Sequence, residues 1–296
     1  MSLIGPKLLR RLEQFQLLVQ RRSKTSQLGE RRSRSRGLSV EFADHRNYAL
    51  GDDLRYLDWN LYGRLDRLFL KLYEEERELP VHIFLDSSES MIYGTPSKFD
   101  FGRQVAAAVG YVGLCGFDRV TVRSFPGRDE DRPYLGALRS VRGKRSAMSF
   151  FQALGKLRAG GAASFNESLK TCAREARQIG MAIVLSDFLD PQGYEEGLMA
   201  LVSRGFQVTC VQILASEEVE PSRYGDLKLV DSETGMEQEI TFGKYRLKAY
   251  QQTVSNYCQR VKEYCASRGI HYFRTSSETP LEELLLKQLR SSGIWG

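Results

Sequence analysis

The chain is short of every residue type that would mark it as secreted, membrane-spanning or zinc-dependent. No run of eighteen apolar residues occurs in its 296, so no segment reads as a transmembrane helix. Near the start, Leu8-Leu9 and Leu17-Leu18-Val19 are too short for a signal-peptide core, and Gln and Arg interrupt them, which makes the cytoplasm the expected location. Cysteine is limited to Cys115, Cys172, Cys210, Cys258 and Cys265, an odd number in apolar or helical surroundings, as expected of reduced thiols rather than a disulfide framework. Cys258 and Cys265 lie two helical turns apart, but the three histidines, His45, His82 and His271, are scattered and none joins them, so the pair reads as core packing. With only eight prolines, 42% apolar and 27% charged residues, the composition is that of a folded protein large enough for one sizeable α/β domain with an appendage, or two domains.

What the chain does have is an uneven charge. Its net +6 suggests nucleic acid until it is mapped: residues 1–40 hold ten Lys and Arg against two Glu, so the other 256 residues sum to about −2. Leu8, Leu12, Phe15 and Val19 follow helical spacing among Arg10, Arg11, Arg21 and Arg22, which predicts a basic amphipathic helix over residues 6–22. SKTSQLGERRSRSRG (23–37) has too little apolar area to order itself and reads as a flexible tether, with contact to an anionic membrane or an acidic partner through residues 6–36 as the other reading. A second basic cluster, Arg128, Arg132, Arg139, Arg142, Lys144 and Arg145, reads as a solvated loop or a nucleic-acid contact.

Three segments follow: a basic arm (1–38), a dense block of alternating charge (39–80), and an α/β domain (81–296). In the block, turn chemistry around Gly51-Asp52-Asp53 precedes an alternating Leu68, Leu70, Leu72 that reads as a strand. Its close-set Asp and Arg residues can pair internally as a collar or form a recognition surface. From residue 81 strands are predicted at 81–86, 119–125, 181–187, 206–214 and 270–274, with helices at 98–116, 146–157, 166–179, 192–204, 244–268 and 281–291, and a small hairpin within 215–243. Continuous apolar strands separated by helices predict a doubly wound, mostly parallel, Rossmann-like sheet covered on both faces.

In such a sheet ligands bind beyond the carboxyl ends of the strands. There FLDSSESM (84–91) turns from an apolar strand into Asp86-x-Ser88-x-Ser90, while MAIVLSD ends on Asp187, so the two carboxylates can converge. Two carboxylates with hydroxyls make an all-oxygen set suited to a hard cation such as Mg²⁺ or Mn²⁺. Asp190 either orders the loop of Asp187 or caps the following helix.

These residues, with GGAASFNESL (160–169), resemble the metal-ion-dependent adhesion site of von Willebrand factor type A domains. The preceding block, with Tyr48, Gly51-Asp52-Asp53, Arg55, Asp58-Trp59, Arg64 and Glu74-Glu75-Glu76-Arg77, resembles the signature of a bacterial family, domain of unknown function fifty-eight; together the two likenesses cover roughly residues 38–215. The resemblance implies a cytoplasmic protein with a type A-like domain, acting as an adaptor or assembly factor with a MoxR-type AAA+ ATPase and its client. It implies a metal shell of Asp86, Ser88, Ser90 and Asp187, in which a partner's Asp or Glu completes the coordination. The chain departs from the pattern at Ala163, where a type A domain carries a ligating Thr and where Ser164 is the neighbouring substitute, so the cation would be held weakly. Leu50 replaces the family's usual Pro.

Catalysis has less support. A metal-dependent phosphotransferase of the haloacid dehalogenase type needs a second acid where Ser88 stands. No G-x-S-x-G elbow occurs. GALRSVRGKRS (136–146) has six residues between its glycines and Arg145 after the lysine, so it is no P-loop. The chain is therefore expected to be a non-enzymatic interaction module, with nucleic-acid or membrane binding through the basic arm as the alternative.

Overall fold

A computed structural model of the protein describes residues 3–15, 17, 40–75, 78–125, 140–161, 164–221, 225–230, 237–242 and 244–285, with the backbone alone at 40–44, 72–75, 225–230, 237–242 and 244–245. In chain order its elements are α1 (Pro6–Leu12), β1 (Val40–Asn47), α2 (Trp59–Leu65), β2 (Phe69–Glu75), β3 (Pro80–Asp86), α3 (Lys98–Cys115), β4 (Arg119–Phe125), β5 (Val141–Arg142), α4 (Ala147–Lys156) and α5 (Phe165–Glu175). They continue with β6 (Met181–Ser186), α6 (Glu195–Ser203), β7 (Gln207–Leu214), α7 (Ser216–Val219), β8 (Gly225–Val230), β9 (Glu237–Phe242), α8 (Lys244–Ser267), β10 (His271–Ser276) and α9 (Leu281–Glu283). Contacts divide the chain into two units, Met1–Gln20 with Leu79–Gly296, and Arg21–Glu78. This differs from the three segments expected at 1–38, 39–80 and 81–296, because α1 belongs to the larger unit.

The larger unit is mixed α/β, built on a six-stranded sheet in the order β10-β7-β6-β3-β4-β5. All neighbours are parallel except the short edge strand β5, which runs antiparallel to β4. Side chains alternate across it. Val81, Ile83, Leu85, Met181, Ile183, Val211 and Ile213 join the core beneath α3 and α4, while Phe84, Ala182, Val184, Val208 and Cys210 join the core beneath α5, α6 and α8. Every residue of β6 is buried, which is why MAIVLS reads as an unbroken apolar run. Each large apolar side chain so buried contributes about 1.5–3 kcal/mol. The five cysteines form no disulfide, and Cys258 and Cys265 are core residues as expected.

α3 is the central helix of one layer. Ser97 caps it, its Oγ accepting from the Asp100 amide, and nearly all of its length is buried. Gly110 is required there: a Cβ at that position would lie 2.4 Å from the Phe150 ring on α4. Ile4 and Leu12 are buried in the same core, with Leu8, Leu9, Phe15 and Leu17 packed against it. The helix predicted over 6–22 is thus shorter, ending at Leu12 in turn hydrogen bonds to Gln14 and Phe15, with residues 16 and 18–22 outside the described set. Glu13, just beyond it, accepts from Tyr111 Oη at 2.7 Å and pairs with Lys144 at 2.8 Å. α5 also ends earlier than predicted, and α9 ends at Glu283, with 286–291 outside the described residues. The expected hairpin is β8–β9.

The smaller unit pairs β1 with β2 antiparallel, from Asn47↔Phe69 outward, with a register shift between Phe42 and Asp44. Asp58 caps α2 by accepting from the Asn60 and Leu61 amides, and the helix stops at Asp66, which adopts a left-handed conformation. The charges of this block pair internally. Arg46 grips Asp52 through two hydrogen bonds of 2.6 and 2.8 Å, Arg55 pairs with Asp53, and His45 Nε2 lies 2.9 Å from Asp58. Such pairing holds the Asp53 and Asp58 carboxyls down at about 2, with Arg55 and His45 as the respective leading causes.

Candidate functional site

β3 and β6 lie side by side in parallel register, Val81↔Met181 through Leu85↔Leu185, so Asp86 and Asp187 leave the sheet at the same, carboxyl, end of its strands. β3 leads to β4 on one side, whereas β6 leads to β7 and β10 on the other. The two acids therefore stand at the topological switch point, where an open α/β sheet forms its crevice.

Asp86 is buried and held from two directions. Its Oδ1 accepts from the Ser88 amide at 2.9 Å and its Oδ2 from Ser186 Oγ at 2.5 Å. Burial, then the charge of Asp187, pushes the Asp86 carboxyl up to about 7 against those hydrogen bonds. Ser88 Oγ lies 3.1 Å from Ser90 Oγ, which in turn donates to Asp187 Oδ2 at 2.8 Å. The Leu189 amide donates to Asp187 Oδ1 at 3.0 Å, and the Asp187 carbonyl accepts from Gln212 Nε2 on β7 at 2.8 Å. Tyr272 Oη on β10 supports Gln212 at 2.5 Å, so three strands fix this loop.

Two charged groups complete the cluster. Lys98, at the first position of α3, has no exposed surface and directs its Nζ to Asp187 Oδ2 at 2.7 Å and Glu218 Oε1 at 2.5 Å. Burial by itself pulls the ammonium down, but the charges of Asp187 and Glu218 outweigh it and the net shift is upward. Burial raises the Glu218 carboxyl, with Lys98 opposing. Glu218 is itself anchored by the Ala215 amide at 2.8 Å.

The neighbouring loops are tied to this centre. Gly160 N donates to the Ser87 carbonyl, Glu89 N to the Gly161 carbonyl, and Gly161 N back to Glu89 Oε2. Asp190 accepts from the Gln192 amide and from the Phe165 amide at the start of α5, so it orders its own loop and ties it to the preceding helix, whereas α6, which follows, has no side-chain cap. Ser164 caps α5 through the Glu167 amide, and Ala163 lies outside the described residues.

The structure thus brings Asp86, Ser88, Ser90 and Asp187 into one cluster. As placed, this donor set does not fit a divalent cation. Both Asp86 oxygens and both Asp187 oxygens are already hydrogen-bonded within the protein, and an ammonium occupies the charge of Asp187. Among the described residues no group of three or more His, Cys, Asp or Glu is arranged to hold a metal ion.

Sequence reasoning passed over Lys98, Ser186 and Glu218. Ser186 stood in plain view beside Asp187 at the end of a buried strand. Lys98 was signalled by a lysine at the first position of a largely apolar helix, against the helix dipole. Glu218 carried no sequence signal. Of the second basic cluster, Arg142 donates to the Phe117 carbonyl and Lys144 pairs with Glu13, while Arg128, Arg132 and Arg139 lie outside the described residues.

Large apolar side chains are exposed on both strand-end loops. Ile92 and Tyr93, following the Asp86 loop, are 47% and 52% exposed, and Leu189, two residues after Asp187, is 42% exposed. Among the described residues no helix is long and apolar enough to cross a membrane.

A mostly parallel six-stranded α/β sheet flanked by helices, with an acid-and-hydroxyl cluster at its switch point, defines the class of protein. The chain belongs to the family described as protein of unknown function DUF58, whose pattern matches residues 44–259. That match runs from β1 into α8, further than the resemblance seen over roughly 38–215. Uncharacterized protein Rv1480 of Mycobacterium tuberculosis and Uncharacterized protein Mb1516 of Mycobacterium bovis are each 26% identical to it over 238 residues, spanning 80% of this chain and 74% of theirs. Uncharacterized protein MAV169 of Mycobacterium avium is 38% identical over 68 residues, 23% of this chain and 40% of that one. Among solved structures, the conserved hypothetical protein BatB from Bacteroides thetaiotaomicron aligns over 72% of this chain and 98% of its own, at 17% identity and a TM-score of 0.43. An aerotolerance-related membrane protein from Bacteroides fragilis aligns over 73% and 98%, at 16% identity and the same TM-score.

Proposed function

We propose that the chain is a non-enzymatic docking module with a type A-like domain. In this reading it serves in the cytoplasm as an adaptor between a MoxR-type AAA+ ATPase and a client during assembly or maturation of protein complexes. The observation that carries the reading is the exposure of Ile92, Tyr93 and Leu189 on the two loops that hold Asp86 and Asp187. Exposed aromatic and aliphatic side chains that a partner can bury are the usual anchors of a protein interface. The hydrogen bonds from β7, the Ser88 amide and Ser186 keep those loops in place, which lowers the entropy lost on docking. Asp86, engaged through both oxygens, supports a structural task better than nucleophilic attack.

Affinity capture from native lysate tests this, with the wild-type chain and an Ile92→Glu, Leu189→Glu double variant as baits. Recovery of a MoxR-type ATPase by the wild type and its loss with the variant is the expected result. Equal recovery by both baits, or none by either, rejects the docking role.

A further inference from the structure

We infer that the Lys98 ammonium is itself the cation of the strand-end site, and that the site therefore takes no divalent metal. The inference concerns the same loops as the docking reading but does not rest on it.

Three features of Lys98 point this way. Its side chain is wholly buried, which a lysine tolerates only with compensating charge. It opens an eighteen-residue helix, where the dipole favours an anion and opposes a cation. Two local preferences are thus overridden at one residue, and such conflicts concentrate at functional positions. The compensation is specific: the ammonium donates charge-assisted hydrogen bonds to Asp187 at the end of β6, at 2.7 Å, and to Glu218 on α7, at 2.5 Å.

The remaining donors are arranged around that ammonium. Asp187 Oδ2 receives Lys98 and Ser90 together while Oδ1 receives the Leu189 amide. Asp86 is engaged through both oxygens, by the Ser88 amide and by Ser186. Mg²⁺ takes about six oxygens at roughly 2.0–2.1 Å and keeps several of them as water. The few oxygens this site could offer are held in these hydrogen bonds, and the doubly charged ion would sit beside a fixed ammonium. The site therefore offers no open metal position for a partner carboxylate to complete.

Thermal unfolding of the full chain in EDTA, Mg²⁺ or Mn²⁺ tests the inference with wild type, Lys98→Met and Asp187→Asn. The wild-type midpoint is expected to be the same in all three. Lys98→Met, which leaves Asp187 and Glu218 without their cation, should unfold several degrees lower in EDTA and regain part of the loss with either ion, since a ligand of the native state raises its apparent stability. A metal-dependent rise in the wild type that is absent from Asp187→Asn overturns the inference. So does a Lys98→Met protein as stable as wild type in EDTA, or one destabilised but indifferent to both ions.

If Lys98→Met fails to fold, equilibrium dialysis of wild type and Asp187→Asn against Mn²⁺ decides. Binding present in wild type and lost in Asp187→Asn overturns the inference; no binding, or binding equal in both, upholds it. Ion indifference without capture of the ATPase would remove the docking reading and leave this inference standing.

Discussion

The carboxylate of Asp190 accepts a hydrogen bond from the Phe165 amide at 2.6 Å, joining the loop after β6 to the first turn of α5. Its other oxygen holds the Gln192 amide at 2.7 Å. Asp190→Ala frees both amides and should cost roughly 0.5–2 kcal/mol, the range for loss of a helix-terminal acceptor. Urea unfolding reads this directly, and an unchanged midpoint would show that the two loops are held by other contacts.

Asn166, buried on α5, is a second clasp. Its Oδ1 accepts from the Gly197 amide on α6 at 2.8 Å and its Nδ2 donates to the Gln192 carbonyl at 3.1 Å. Asn166→Ala leaves both backbone groups without their partner and is expected to destabilise by about 1–3 kcal/mol. A loss no greater than that of an exposed alanine substitution on the same helix would refute the clasp.

Gly110 sets the approach of α3 to α4. In Gly110→Ala the new methyl would meet Phe150 Cζ at 2.4 Å, and that ring is buried in the close-packed core. Such overpacking costs roughly 1–3 kcal/mol. Calorimetry should give a lower midpoint, whereas a gain from the better helix propensity of alanine would mean that the helices part easily.

His82 makes stability pH-dependent. Burial, helped by the charge of Arg123, lowers its pKa below the usual 6.5, despite the hydrogen bond with the Gln178 carbonyl at 2.9 Å. The unfolded chain then binds more protons between the lowered value and 6.5, so this contribution is present above 6.5 and lost as pH falls through that window. His82→Phe, stacked in the same place beside Phe84 and Phe206, should flatten the difference in unfolding free energy between about pH 7.5 and about pH 5.5. Equal pH slopes in both proteins would assign the effect elsewhere.

The sheet was legible because its strands are buried on both faces: MAIVLS and VHIFL read as apolar runs with no competing helical period. Their ends were legible too, which is why Asp86, Ser88, Ser90 and Asp187 meet as expected. Helix ends were harder. α5 stops at Glu175 although its pattern continues, since Ala176 turns extended and its carbonyl accepts from Arg204 at 2.9 Å, a tertiary bond with no local signature. The N-terminal helix misled for a related reason: Val19 keeps the spacing of Leu8 and Leu12, yet the chain turns after Leu12. Lys98 and Glu218 are 120 residues apart, and their meeting at Asp187 depends on how α7 follows β7.

Titration of a purified MoxR-type ATPase with the full-length chain, wild type against Leu189→Glu, puts docking at the strand-end loops to the test. Saturable binding by the wild type is predicted, at least about tenfold tighter than by the variant, or ~1.4 kcal/mol, with the same unfolding midpoint for both proteins. Equal affinity for the two, or no binding by the wild type, would contradict it.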